Sequence, residues 1–230
     1  MKIGIIVAME KEFVHLRKIL EEPKTERKGN IDFVCGEIGA HQIIMMQSGM
    51  GKVNATIGVS QLIFHYNPEL VVSTGVAGGA DIEMNPMDVI VSTDCVYHDV
   101  YCGENALYGQ MLGLPPRFVS PKALVDKALE LKKLGNICAG TIVTGDWFVD
   151  DVEKMREILS HFPEAKAVDM ESCAIAHTCH ISGIPFISFR IISDIPLKDT
   201  KASQYFSFWD CMADQSFNIT KNFIQSIETI

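Results

Sequence analysis

The nine residues from Ile184 to Ile192, Ile-Pro-Phe-Ile-Ser-Phe-Arg-Ile-Ile, limit the possible folds of this chain more than any other stretch. A β-branched and aromatic run this short reads as a strand buried on both faces, the kind found in sheets covered by helices. Arg190 interrupts the apolar side chains, and Ser193 and Asp194 end the run. In open α/β sheets ligands gather beyond the carboxyl ends of the strands, so Asp194 stands where chemistry is expected. Upstream, Asp169, Met170 and Glu171 precede an Ala- and Ile-rich segment that reads as a buried helix. Glu171 therefore begins the helix that leads into the strand.

The same alternation runs through the chain. Lys2 to Ala8 reads as a buried strand, and Met9 to Leu20 as a helix with Phe13, Leu16 and Ile19 at helical spacing. That turn carries Met9, Glu10 and Glu12 to the sheet edge, where the ordinary role of first-turn acids is to oppose the helix dipole. Ile31 to Ile38 and His41 to Gln47 flank Gly39-Ala40 as an antiparallel hairpin. Ser48-Gly49-Met50-Gly51-Lys52-Val53 opens a helix over 54–65, and such a loop can hold an anion through backbone N–H groups. It lacks P-loop spacing, and Val53 stands where Ser or Thr would ligate magnesium.

Leu70 to Ser73 is a further short strand, ending in Thr74-Gly75-Val76-Ala77-Gly78-Gly79, whose glycines do not have dinucleotide-binding spacing. Asp88 to Tyr97 is another, closed by His98-Asp99. Residues 100–119 read as a long loop of the functional or interface kind. Ser120-Pro121 starts a helix reaching Leu134, and Ile137 to Val143 is a strand ending in Thr144-Gly145-Asp146-Trp147-Phe148-Val149. Aromatics there either stack on a planar ligand or fill the core. Asp150 to Leu159 is helical, and a polar loop after Pro196 leads into a last helix ending near Ile227. Strands separated by helices predict an α/β fold: a single domain over 1–230 with a twisted, mixed, mainly parallel sheet flanked by helices.

Composition narrows the function. A net charge of -9 argues against nucleic acid or anionic membrane as partner, since both need clustered positive charge. Seven cysteines without a C-x-x-C pair read as free thiols of a reducing cytoplasm. The apolar run at the start stops at Met9-Glu10-Lys11-Glu12, too short for a signal or membrane segment. His177 and His180, near Cys173 and Cys179, lack the H-E-x-x-H pattern and read as packed histidines rather than metal ligands. No metal or cofactor is expected.

Three acids, Glu12, Glu171 and Asp194, lie at predicted strand or helix edges, with Arg190 close to the last. Carboxylates in different environments can divide acid and base duties, because burial raises one pKa while a nearby cation lowers another. That combination suits hydrolysis of a glycosidic-type bond, where a leaving group is protonated and a water activated.

Seven segments together resemble the nucleoside phosphorylase and nucleosidase superfamily, and within it the 5'-methylthioadenosine/S-adenosylhomocysteine nucleosidases. They are IGIIVAMEKE at 3–12, SGMGKVNA at 48–55, STGVAGG at 73–79, YHD at 97–99, TGDWFV at 144–149, AVDMES at 167–172 and FRIISD at 189–194, in the family's order over nearly the whole chain. The resemblance implies a nucleoside phosphorylase-like α/β domain, usually a homodimer, that hydrolyses the N-glycosidic bond of adenine nucleosides with modified 5' groups. It implies that Asp194 gives a proton to adenine N7, oriented by Ser193, and that Glu12, assisted by Arg190, deprotonates the attacking water. Glu171 would bind ribose hydroxyls, with Met170 against the sugar. Phe148 would stack on the base, the Val149 backbone would read its edge, and Ala77 and Gly78 would approach base or sugar. Met9 and Met50 would serve the sugar and 5' region.

Glu12 separates the two branches of the superfamily, because a carboxylate there repels the phosphate that a phosphorylase must bind. A purine nucleoside phosphorylase and a catalytically silent nucleoside-binding protein are the competing readings. Asp169 stands where the family commonly has Glu, and Val76 where Ser is frequent. The loop at 100–116, expected to reach the neighbouring subunit's pocket, lacks a clear match for the family's aromatic and proline, with Leu107, Leu112 and Pro115 as substitutes. The segment 195–207 is longer than usual, which places the lid phenylalanine at Phe208 rather than Phe206.

Overall fold

The computed structural model describes residues 1–198, 203–211 and 217–227. The chain begins with β1 (Lys2–Val7), α1 (Glu10–Arg17), β2 (Glu21–Lys28), β3 (Ile31–Ile38), β4 (His41–Gln47) and α2 (Lys52–Tyr66). Strands β5 (Leu70–Gly79), β6 (Val89–Tyr97) and β7 (Phe118–Val119) follow, then α3 (Lys122–Leu129), a 3-10 turn over Glu130–Leu134 and β8 (Ile137–Thr144). After α4 (Val152–His161) come β9 (Ala165–Asp169), α5 (Ser172–Ser182), β10 (Phe186–Asp194), α6 (Ser203–Cys211) and α7 (Asn218–Ser226).

The central strands are apolar on both faces because each face meets a different helical layer. Ile3, Ile5 and Val7 of β1 pack with Leu16 of α1 and with Phe223 and Ile224 of α7. Ile6 turns the other way, into a cluster with Val59 and Leu62 of α2 and Ala174 of α5. Gly4 keeps α2 close: a Cβ there would lie 2.6 Å from Leu62 Cδ2. A third cluster seats α4, through Met155 and Ile158, against Val143 of β8 and Val168 next to it on β9. This is the three-layer arrangement expected of a two-sided sheet.

The strand order is β10-β6-β8-β9-β5-β1-β4-β3-β2, and β10 also pairs with β5. Five strands, β10, β6, β8, β9 and β5, therefore close into a ring, from which β1, β4, β3 and β2 extend as a wing. Parallel pairing joins β4, β1, β5 and β10 and also β6, β8 and β9. Antiparallel pairing closes the ring and builds the wing's outer hairpins.

One edge of β5 positions the site. β1 accompanies it from Leu70 to Ser73, and β9 pairs with Gly78 and Gly79 on the same side. Between them β5 has no strand neighbour on that edge among the described residues, and the Val76 N–H donates to the Glu12 carboxylate instead.

Several elements differ from expectation. β5 does not stop at Ser73 but runs through its glycines, because small residues there admit β9 and the side chains of Glu12 and Arg190. β2 and β9 carry no apolar periodicity that marks them as strands. β2 is an exposed, charged edge strand containing Pro23, a composition that discourages further pairing. The last helix is divided into α6 and α7, and the connection 212–216 lies outside the described residues, as does 199–202.

Candidate active site

A cleft at the carboxyl ends of β1, β5, β9 and β10 gathers residues from every part of the chain. Met9 and Glu12, Met50, Ala77 and Gly78, Phe148 and Val149, Met170 and Glu171, and Arg190, Ser193 and Asp194 all line it. Of the residues that the resemblance assigned to a subunit's own site, these are all but one. Phe208 is the exception: it is buried in the core layer with Phe217 and Phe223, away from the residues that line the cleft. The aromatic that α6 does place there is Tyr205, edge-on to Phe148 with ring centroids 5.1 Å apart. Tyr205 directly precedes Phe206 and stands three residues before Phe208, the two phenylalanines that the sequence offers for this place.

Glu12 is held on α1's first turn, where its Oε2 accepts the N–H of Met9 at 2.9 Å and its Oε1 that of Val76 at 2.9 Å. Burial nevertheless dominates and raises its pKa, against the pull of these amides and of Arg190. Gly75 makes the arrangement possible. A Cβ at that position would stand 2.6 Å from Glu12 Oε1 and 3.0 Å from Arg190 Nη1.

Arg190 is buried in β10 and held from two sides, donating through Nε to Asp169 Oδ2 at 2.6 Å and through Nη2 to Ser73 Oγ at 2.9 Å. Burial alone would lower its pKa, but Asp169, Glu171 and Glu12 more than reverse this. Asp169 is thus the counter-ion of the site, a role the sequence reading did not give it. Its Oδ1 also accepts the Thr144 hydroxyl at 2.6 Å, and its carboxylate lies at the N–H groups of Glu171 and Ser172. An anion at the start of α5 is favoured there by the helix dipole.

Glu171 accepts the N–H of Gly51 through Oε1 at 2.9 Å. The anion held by the glycine-rich loop is therefore a carboxylate of the chain itself. Gly51 has φ +88°, a conformation that favours glycine. Burial, helped by the neighbouring charge of Asp169, pushes the Glu171 carboxyl up to about 7, against Arg190 and the Gly51 amide. Asp194, at the end of β10, accepts the Ser193 hydroxyl through Oδ1 at 2.5 Å.

The site thus has two ends. At one, Phe148 and Val149 supply apolar lining, and Asp194 supplies a carboxyl that accepts the Ser193 hydroxyl. Glu12, Arg190, Asp169 and Glu171 form a buried cluster of three acids around one cation. Trp147, half exposed, adds an aromatic at the rim with Lys154 Nζ 5.0 Å from its ring centre. His177, by contrast, bonds the Tyr97 hydroxyl at 3.0 Å and stacks on Phe118, as a packed histidine does.

The sequence matches the family model of the phosphorylase superfamily over residues 2–225. A 5'-methylthioadenosine/S-adenosylhomocysteine nucleosidase of Bacillus thuringiensis (strain Al Hakam) is 37% identical over 231 residues, covering 99% of this chain and 98% of that protein. This chain belongs to the 5'-methylthioadenosine/S-adenosylhomocysteine nucleosidase family. Solved structures of nucleosidases superpose closely. The S-adenosylhomocysteine nucleosidase of Streptococcus pyogenes, in complex with 5-methylthiotubericidin, gives a TM-score of 0.93 at 32% identity, covering 100% of this chain and 98% of that one. The 5'-methylthioadenosine/S-adenosylhomocysteine nucleosidase of Neisseria meningitidis, in complex with methylthio-immucillin-A, gives 0.92 at 34% identity, covering 98% and 99%. The nucleosidase fold expected from the sequence is therefore the fold found.

Proposed function

We propose that this chain is an adenine-nucleoside hydrolase, cleaving the N-glycosidic bond of 5'-methylthioadenosine and S-adenosylhomocysteine to release adenine and the 5-substituted ribose. The observation that carries the reading is Glu12, a buried carboxyl fixed by two backbone amides beside Arg190. Its raised pKa suits a general base, which works best when poised near the operating pH. A phosphate nucleophile would have to enter beside three acids with one cation to offset them.

The remaining roles follow from position. Asp194, aligned by Ser193, protonates N7 of the adenine held between Phe148, Val149, Ala77 and Gly78. As the bond to the base lengthens, the sugar takes on oxocarbenium character, and the acid cluster stabilises it. Glu171 accepts the ribose hydroxyls, with Met170 against the sugar, and Met9 and Met50 face the 5' substituent. Arg190 directs the water and limits the charge of the cluster.

The whole chain 1–230 acts as one catalytic domain of the cytoplasm, in keeping with the unpaired thiols of Cys35, Cys95, Cys102, Cys138, Cys173 and Cys179. It works as a homodimer in which the 100–116 loop reaches the neighbouring pocket. Support comes from the exposed apolar side chains of Val53, Ile57 and Phe64 on α2 and of Tyr101, Leu107 and Leu112 in that loop, which a lone subunit would leave to water. A monomer in sedimentation at micromolar concentration would remove the dimer.

The decisive measurement is adenine release from methylthioadenosine with and without phosphate. Equal rates are expected. Strict dependence on phosphate would make the protein a phosphorylase, and binding without release would make it a silent nucleoside-binding protein.

A further inference from the structure

Tyr97-His98-Asp99, at the end of β6, lies outside the lining of the cleft, yet each of the three residues grips one of the loops that build it. The Tyr97 ring lies beneath Lys52, whose Nζ is 5.5 Å from the ring centre. The buried His98 ring lies against Gly145, where an added Cβ would come within 2.5 Å of His98 Nε2 and 2.8 Å of Asp99 Cγ. Asp99 Oδ2 accepts both the Lys52 ammonium at 2.6 Å and the backbone N–H of Asp146 at 2.9 Å. Asp146 completes the link by accepting the Lys52 N–H through Oδ1 at 2.8 Å.

The two loops serve opposite ends of the site. Lys52 directly follows Gly51, whose amide holds Glu171 at the sugar end. Asp146 directly precedes Trp147 and Phe148, which form the base end. Lys52 and Asp99 are each about a quarter exposed, and ion pairs of that exposure contribute little to stability. Their geometry has a larger effect, because misplacing a binding group by about 1 Å can cost on the order of 100-fold in rate.

We propose that Lys52 and Asp99, braced by Tyr97, His98 and Asp146, are positioning residues that set the register between the sugar-binding Glu171 and the base-binding Phe148. This deepens the nucleosidase reading and rests on it. The bracket discriminates between ligands. Adenine alone uses one end of the cleft and does not need the register, whereas an intact nucleoside must engage both ends at a fixed separation. The bracket also acts on the ionisation of Glu171, which faces the carboxylates of Asp169 and Glu12, the Arg190 guanidinium and the Gly51 N–H. A Gly51 amide drawn away removes one of the two influences that lower the Glu171 pKa.

The test uses the full-length chain with Lys52→Met, Asp99→Asn, the double variant and Lys52→Arg, measuring affinity for adenine and for methylthioadenosine. In both single variants methylthioadenosine affinity should fall about tenfold, while adenine affinity stays within about twofold, and the acid limb of kcat/KM should move to higher pH. The double variant should be no worse than either single, since the two residues act through one link. Lys52→Arg should recover most of the nucleoside affinity. Equal losses for both ligands, or no loss for either, would overturn the proposal. A wild-type protein that binds both ligands without releasing adenine would refute the hydrolase function, and the ratio of affinities would still decide the role of the bracket.

Discussion

Replacing Glu171 by Gln should make the unliganded protein more stable and less able to bind nucleoside. The Glu171 carboxyl rises from the usual 4.5 to about 7 on folding, because burial and the Asp169 charge oppose its ionisation. The folded state therefore retains a proton that the unfolded chain has released. The sign follows: the stability associated with that proton is fully present below about pH 4.5 and is lost as pH rises to about 7. At 1.36 kcal/mol per pH unit, ionising the group in the folded state costs about 3 kcal/mol at pH 8. Gln is isosteric, keeps an oxygen for the Gly51 N–H and carries no charge. Thermal unfolding of the two proteins should differ at pH 8 by roughly 6–12 °C in favour of the variant, given a shift of about 2–4 °C per kcal/mol for a chain of this length. Near pH 4.5 the difference should largely vanish. Nucleoside affinity should fall, because the hydroxyl acceptor is no longer anionic. Equal unfolding temperatures at pH 8, or a gain independent of pH, would refute the claim that a strained charge sits at the sugar end.

Two further substitutions address the reacting groups. Asp194→Asn should fold and bind adenine nucleosides but lose about 100- to 10,000-fold in kcat, since the amide cannot deliver the proton, and near-normal turnover would remove Asp194 from the acid role. Gly75→Ala should lower kcat more than it weakens adenine binding, because the new methyl occupies the place of Glu12 Oε1 and presses on Arg190, and a structure with both side chains undisturbed would refute that.

Much of the cleft's lining was legible in the sequence because its charged side chains sit at the ends of strongly apolar strands. Glu12, Glu171, Arg190 and Asp194 all follow or interrupt such runs, and the ordered motifs gave each a neighbour. What it could not show depends on contacts between distant segments. Asp169 reads as one acid among several until Arg190, 21 residues away, turns to it. Gly75 reads as a loop glycine until the carboxyl of residue 12 occupies the space beside it. β9 and β2 escaped because both are short of apolar periodicity. β9 owes its place to pairing within the ring, and β2 to its hairpin with β3. Side-chain type alone does not tell the inward face of α6, where Phe208 lies, from the cleft-facing one, on which Tyr205 lies.

The ring of five strands bears on how the enzyme is made. β5 meets β10 more than a hundred residues later in the chain, and the two pair from Val71–Phe186 to Gly78–Asp194 with one register shift, at Ser193. Contacts so distant in sequence form late and slowly, because a long loop must close before they contribute. Glu12 leaves the ribosome early, whereas Arg190 and Asp194 follow only with β10, the last strand among the described residues. The pairing of the Glu12 carboxyl with the Arg190 charge therefore cannot form in a nascent chain that lacks β10. Until that strand has been made, the acids of the cleft stand without Arg190.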